Sequence, residues 1–154
     1  MKTLKFNHLA IWLSIFLSQA IPLVWYSVFS DRWMTLNDLT EEYIQANQNS
    51  WFFLISLLGS TIAIYVLAWL FIRLPIESAR SGMITGLIIG AAFNITSLLT
   101  INMFSYRPLE LVVIDGAANV IVYGIAGLIL GGWRRYRTEP GHNPASTTQE
   151  RLPV

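Results

Sequence analysis

One carboxylate, that of Asp115, stands inside a run of apolar residues that is long enough to cross a lipid bilayer. A carboxylate in hydrocarbon is costly unless it is paired, protonated or close to the headgroups. Asn119 and Tyr123 follow it at intervals of four residues, so the three side chains share one face of a helix. Such a face can hold helices together by hydrogen bonds, or it can line a site for a cation or a proton.

Further polar side chains precede this face along the chain. Asn94 and Asn102 lie in the preceding apolar segment, and Arg107 lies in the four-residue turn that follows it. Because the turn is short, the two segments must lie close together there. Two interpretations of Asp115 remain open: it pairs with Arg107 or accepts hydrogen bonds from Asn102 and Thr100, or it lines a polar cavity. The candidate residues for a ligand-binding site or a polar cluster are Asp115, Asn119, Tyr123, Asn94, Asn102 and Arg107.

The rest of the composition excludes several other kinds of site. The chain has no cysteine, so it holds no thiolate metal site and no thiol nucleophile. Its two histidines, His8 and His142, lie outside the long apolar segments, and Glu110 and Asp115 point to different faces of one helix. The net charge of +1 indicates no nucleic-acid partner. We therefore expect no catalytic residue, no metal site and no cofactor, and a protein that is not an enzyme.

Four apolar segments must position these residues. They cover about 9–29, 51–72, 83–104 and 109–133, and each reaches the roughly 20 residues that a membrane-spanning helix needs. The chain is 54% hydrophobic and only 12% charged, which favours the same conclusion. We predict an all-α membrane protein, a four-transmembrane-helix bundle over residues 1–137 in which the second, third and fourth spans are antiparallel neighbours. Residues 138–154 are expected to form a disordered cytoplasmic tail.

The segment between the first two spans is acidic and carries apolar residues at helical spacing. Leu36, Leu39, Tyr43 and Ile44 give that pattern, which predicts a short amphipathic helix against the outer surface of the bundle. Its simplest role is to shield the bundle, and a role in binding a cation or a partner is the alternative.

Basic residues near the span ends predict the orientation. Seven lie on one side, and only Arg32 and Arg107 lie on the other. The seven are Lys2, Lys5, Arg73, Arg80, Arg134, Arg135 and Arg137. The positive-inside rule then places both termini in the cytoplasm and the protein in the cell (inner) membrane. Residues 18–20 also resemble a signal-peptide cleavage site, but the apolar character continues to Phe29, so we expect the first span to be retained.

Glycines recur at four-residue spacing in the last two spans. Small residues on one face let two helix backbones approach closely in a membrane. The predicted helix-packing residues are Gly82, Gly86, Gly90, Gly116, Gly124 and Gly127. We expect them to join the third span to the fourth within one chain, with a homo-oligomer as the alternative.

Several short motifs occur in a specific order along the chain. They are Asn7, Trp25-Tyr26-Ser27, Phe29, Trp33-Met34, Thr40-Glu41-Glu42, and the stretch 102–116, Asn-Met-Phe-Ser-Tyr-Arg-Pro-Leu-Glu-Leu-Val-Val-Ile-Asp-Gly. Together they resemble the family of small bacterial membrane proteins catalogued as domain of unknown function 1761, from about Asn7 to Trp133. The chain departs from that pattern at Pro22, where the family tends to have glycine, and at Ala117, where it tends to have tyrosine. The resemblance implies a four-helix integral membrane protein and supplies no activity.

Two functions are therefore open. The first is an oligomeric bundle that binds or transports a small molecule or an ion through the polar residues described above. The second is a non-catalytic structural or accessory membrane subunit, whose polar residues serve only to pack the helices. The expected partners are the lipid bilayer and, through a glycine face, a second copy of the chain.

Overall fold

The computed structural model describes residues 2–138 and is almost entirely helical. Its helices are α1 (His8–Leu36), α2 (Glu41–Asn47), α3 (Ser50–Arg73), α4 (Ala79–Gly90), α5 (Thr96–Phe104) and α6 (Glu110–Gly132), and a π-helical segment, Ala91–Ile95, joins α4 to α5. Four helical units are long and apolar enough to cross a membrane: α1, α3, the continuous unit Ala79–Phe104 and α6. We call them the first to fourth spans. The predicted all-α membrane fold with four spans is confirmed.

The fourth span lies between the third and the first. α6 packs most extensively on α4 and next on α1, while α1 packs on α3. The main apolar core lies between these helices, where Ile11 and Ile15 of α1 meet Ile64 and Leu67 of α3. The expectation that the second and third spans would be neighbours is wrong, because α3 makes at most marginal contact with α4. The buried face of α3 packs on α1, and the short turn at Pro75 only connects the two spans.

The glycines of the third and fourth spans face each other within the chain. A Cβ atom built on Gly82 would lie 2.2 Å from the carbonyl oxygen of Gly127, far closer than real Cβ atoms approach any neighbour. Gly86 meets the backbone of Tyr123 equally closely. Of the other predicted packing residues, Gly90 lies against Tyr123, Gly124 against Leu87, and Gly116 against Ile95. Absence of side chains at this contact is what lets α4 approach α6 so closely.

The first helix is longer than the apolar pattern predicts. It continues through the polar residues Ser30, Asp31 and Arg32 and ends only at Leu36, where Asn37 caps it and Asp38 adopts a left-handed φ of 53°. No glycine or proline follows Pro22 within the helix, so nothing local stops it earlier. This extension brings the end of α1 beside the start of α6.

The predicted outer helix is present as α2. Thr40 caps it by accepting a hydrogen bond from the backbone N–H of Tyr43 at 3.2 Å. The helix buries none of its residues, so it adds little to the packing of the bundle. Leu36, which the spacing assigned to this helix, belongs to α1 instead.

The two ends of the spanning region are joined by a short sheet that the sequence does not reveal. β1 (Lys2–Lys5) pairs antiparallel with β2 (Arg135–Thr138). Beside it, Asn7 caps α1 and donates a hydrogen bond from its Nδ2 to the carbonyl oxygen of Trp133 at 2.9 Å. Strands of four residues are too short to show a clear alternation of polar and apolar side chains. Thr138, the first residue of the predicted tail, belongs to β2. The rest of the predicted tail, 139–154, lies outside the described residues.

Candidate functional site

The carboxylate of Asp115 is bound by two aromatic side chains of α1. The Tyr26 hydroxyl donates to its Oδ1 at 2.6 Å, and the Trp33 indole N–H donates to the same oxygen at 3.1 Å. The two rings lie edge to face, with centroids 5.8 Å apart. One residue earlier, Trp25 donates to the carbonyl oxygen of Ile114 at 3.0 Å. These three aromatic residues fasten α1 to α6.

The predicted partners of Asp115 bind elsewhere. The Arg107 guanidinium donates to the side-chain oxygen of Asn37, and Thr100 donates to a carbonyl oxygen of its own helix. Asn102 is 3% exposed, and its side-chain nitrogen has no partner. The pairing of Asp115 with Arg107, Asn102 or Thr100 is therefore wrong. The packing of α1 on α6 brings Tyr26 to the carboxylate, and the extension of α1 adds Trp33 there and brings Asn37 to the arginine.

A polar cavity of about 320 Å³ lies among the spans, and Tyr26, which binds Asp115, is one of its lining residues. Its polar side chains come from all four of them. They are Ser18 and Tyr26 of α1, Ser56 and Ser60 of α3, Asn94 of the π-helical segment, and Asn119 and Tyr123 of α6. Pro22, Gly59 and four small or aliphatic residues complete the wall. α1, α3 and α6 supply most of the wall, and the third span supplies only Asn94. α3 makes at most marginal contact with α4.

Two helix irregularities border this cavity. Pro22 has no N–H, so it cannot donate to the carbonyl oxygen of Ser18 one turn earlier in α1. On the opposite side, Asn94 stands within the π-helical segment, a distortion that is frequent at functional sites. Both distortions loosen the regular backbone hydrogen bonding beside the same space. The third span, which reads as uniform in sequence, is irregular at the cavity.

A hydrogen-bond network fixes one side of the cavity. Gln19 donates from its Nε2 to the Ser60 hydroxyl at 2.7 Å, and the Ser56 hydroxyl donates to Gln19 Oε1 at 3.2 Å. This network holds α3 against α1. On α6, Asn119 donates to the backbone carbonyl of Asp115 at 2.9 Å. The polar wall is thus positioned by contacts between helices as well as within them.

The structure brings together three of the six predicted site residues. Asn94, Asn119 and Tyr123 line the cavity, and Asp115 is one hydrogen bond away from it through Tyr26. Asn102 and Arg107 do not line it. Ser56 and Ser60 were not predicted, although their four-residue spacing places them on one face of α3. Tyr26 and Trp33 were missed as partners of Asp115, although seven residues, or two helical turns, separate them.

The chemistry of the cavity is that of uncharged hydrogen-bonding groups. Its lining contains hydroxyl and amide side chains and no charged side chain. Within residues 2–138, no group of three or more histidine, aspartate or glutamate side chains is placed to hold a metal ion. The arrangement is therefore suited to donate and accept hydrogen bonds with a small uncharged molecule.

One comparison with known proteins gives a match. The model of a family described as "Protein of unknown function (DUF1761)" matches residues 9–131. This range runs from the second residue of α1 almost to the end of α6, and it contains every residue that lines the cavity. No curated protein and no solved structure matches the chain.

Proposed function

The chain belongs to the DUF1761 family of proteins of unknown function, and we propose that it binds a small uncharged solute in its polar cavity as a step in moving that solute across a membrane. The observation that carries the proposal is the cavity itself. Hydroxyl and amide groups from four apolar spans converge on one space of about 320 Å³. Polar groups inside a membrane are costly, and they commonly mark the path of a substrate or an ion.

The lining favours an uncharged solute over an ion. A dehydrated cation needs several oxygen ligands, commonly with a carboxylate among them, and no carboxylate lines the cavity. The nearest one, Asp115, is occupied by Tyr26 and Trp33 on one of its oxygens. Asp115 thereby orients the Tyr26 hydroxyl, which does line the cavity. In this function Asp115 is a positioning residue for Tyr26.

The same proposal includes the setting in the cell. The protein is a multi-pass protein of the bacterial inner membrane, is not an enzyme, and has both termini in the cytoplasm, as the seven basic residues on that side indicate. Because the glycine faces of α4 and α6 are occupied by each other, an oligomer would use another surface. The face between the second and third spans, which make at most marginal contact, is a suitable one, since a second copy there would enclose the solute.

Gly59 offers a sharp test. Gly59 lines the cavity, and a Cβ atom built on it meets no atom within 4 Å, so we expect a leucine side chain there to occupy part of the cavity. We expect proteoliposomes with the full chain to swell in glycerol or urea, and Gly59→Leu to return the swelling rate to that of protein-free liposomes. Ser27 is an exposed residue of α1 outside the cavity. Proteoliposomes with Ser27→Leu should therefore swell at the rate seen with the unmodified protein. Melting temperatures of both variants check that the fold is intact.

Two outcomes would overturn the proposal. One is swelling that Gly59→Leu leaves unchanged, and the other is no swelling above protein-free liposomes with either solute. The second outcome would favour the alternative function, a non-catalytic accessory subunit. A specific observation supports that alternative: the Gln19, Ser56 and Ser60 side chains already bind one another.

A further inference from the structure

A second cavity lies at the other end of the spans from Arg32 and Glu110. It is a groove of about 630 Å³ where α1 begins and α3 ends. Lys5, Phe6 and His8 form one side of it, and Trp69, Ile72 and Arg73 form the other. Since helix ends of membrane-spanning segments lie at the level of the lipid headgroups, this groove has an apolar wall toward the hydrocarbon and cations toward the headgroups.

Among the residues that the structure describes, the cations at this groove have no acidic partner. Lys5 stands directly opposite Arg135 in the β1–β2 pairing, and like charges in that position repel each other. Arg73 lies over the ring of Trp69, with 5.4 Å between its guanidinium carbon and the ring centroid. Within residues 2–138, the one ion pair joins Arg32 to Glu110 at the opposite end. An anion beside Lys5 would relieve the repulsion that the sheet imposes.

We propose that the groove binds the phosphodiester headgroup of an anionic phospholipid. Lys5 and Arg73 contact the phosphate, while Phe6 and Trp69 contact the glycerol and the first part of the acyl chains. Basic pockets between spanning helices on the cytoplasmic side commonly bind anionic headgroups. The aromatic and aliphatic wall is what favours a lipid over a free phosphate ion, which would gain nothing from it. This site is separate from the polar cavity and does not depend on the function proposed for it.

The test uses the full chain purified in an uncharged detergent. A short-chain phosphatidylglycerol is titrated against it, with phosphatidylcholine of the same chain length as the uncharged comparison, and bound lipid is counted by native mass spectrometry. We expect one tightly bound phosphatidylglycerol and much weaker phosphatidylcholine. Each of Lys5→Gln and Arg73→Gln should weaken binding about fivefold, as about 1 kcal/mol per cation near an anionic surface implies. Arg80→Gln is the matched control, because Arg80 is a basic residue near the same end that does not line the groove.

Three results would overturn the proposal. Arg80→Gln could weaken binding as much as the groove variants, which would show a diffuse charge effect. Phosphatidylcholine could bind as tightly as phosphatidylglycerol. Inorganic phosphate could displace the lipid at equal concentration, which would identify a site for the free ion. The charge-preserving Lys5→Arg and Arg73→Lys should bind as the unmodified protein does, which separates the effect of charge from damage to the fold.

Discussion

Replacing Asp115 with alanine tests the central contact of this structure. The change removes the acceptor for two donors, the Tyr26 hydroxyl at 2.6 Å and the Trp33 indole N–H at 3.1 Å. Hydrogen bonds between spanning helices average about 0.6 kcal/mol, and those to charged groups reach about 1.5 kcal/mol or more. Two such bonds predict a loss of about 1–3 kcal/mol. For a chain of this size, that loss lowers the melting temperature by about 3–10 °C.

A double-mutant cycle in detergent separates the observed contact from its rival. We expect Asp115→Ala and Tyr26→Phe to show a coupling energy of about 1 kcal/mol, because each removes the same hydrogen bond. Asp115→Ala and Arg107→Ala should be additive within about 0.5 kcal/mol, since Arg107 binds Asn37. Asp115→Asn keeps an acceptor oxygen and should lose less than Asp115→Ala. Strong coupling of Asp115 to Arg107, with no coupling to Tyr26, would refute the hydrogen bond between Asp115 and Tyr26.

Three further substitutions test the packing, and each is checked by the melting temperature. Gly82→Ala should destabilise the protein by about 1–3 kcal/mol, because its Cβ would lie 2.2 Å from a backbone oxygen of α6 and would push the helices apart. Gly59→Ala, which meets open space, should instead stabilise it by up to about 1 kcal/mol, and equal effects of the two would contradict the close helix contact. Asn102→Leu should raise stability by about 1 kcal/mol, because it removes a buried side-chain nitrogen without a partner. A marked loss of stability in Asn102→Leu would mean that the Asn102 amide has a hydrogen-bond partner when the protein is in a membrane.

Local features of the chain were readable without the structure. The apolar lengths predict four spans, and the four-residue spacing of Gly82, Gly86 and Gly90 predicts one close-packing face. The spacing of Tyr43 and Ile44 predicts an outer helix, and α2 covers both residues. These features depend on residues within a few turns of one another, so segment length and periodicity are enough to predict them.

Half of the candidate site residues could also be predicted from the sequence, because helical spacing places residues on a common face. Asn119 and Tyr123 share a helix face, and the structure places both at the cavity together with Asn94. This pattern cannot predict which residues of another helix complete the wall of the cavity. Ser56 and Ser60 complete the wall only because α3 packs on α1 and leaves the third span apart from it.

Asp115 shows most clearly what only the tertiary structure decided. A polar face at Asp115 follows from the sequence, but its partner Tyr26 lies 89 residues away along the chain. Which donor reaches the carboxylate depends on where α1 ends and how it packs on α6, and neither follows from local spacing. Many partners are compatible with one apolar helix face, because dispersion and burial carry little directional information. Hydrogen bonds are directional, so the choice among the candidate donors was made by the packed arrangement of all four spans.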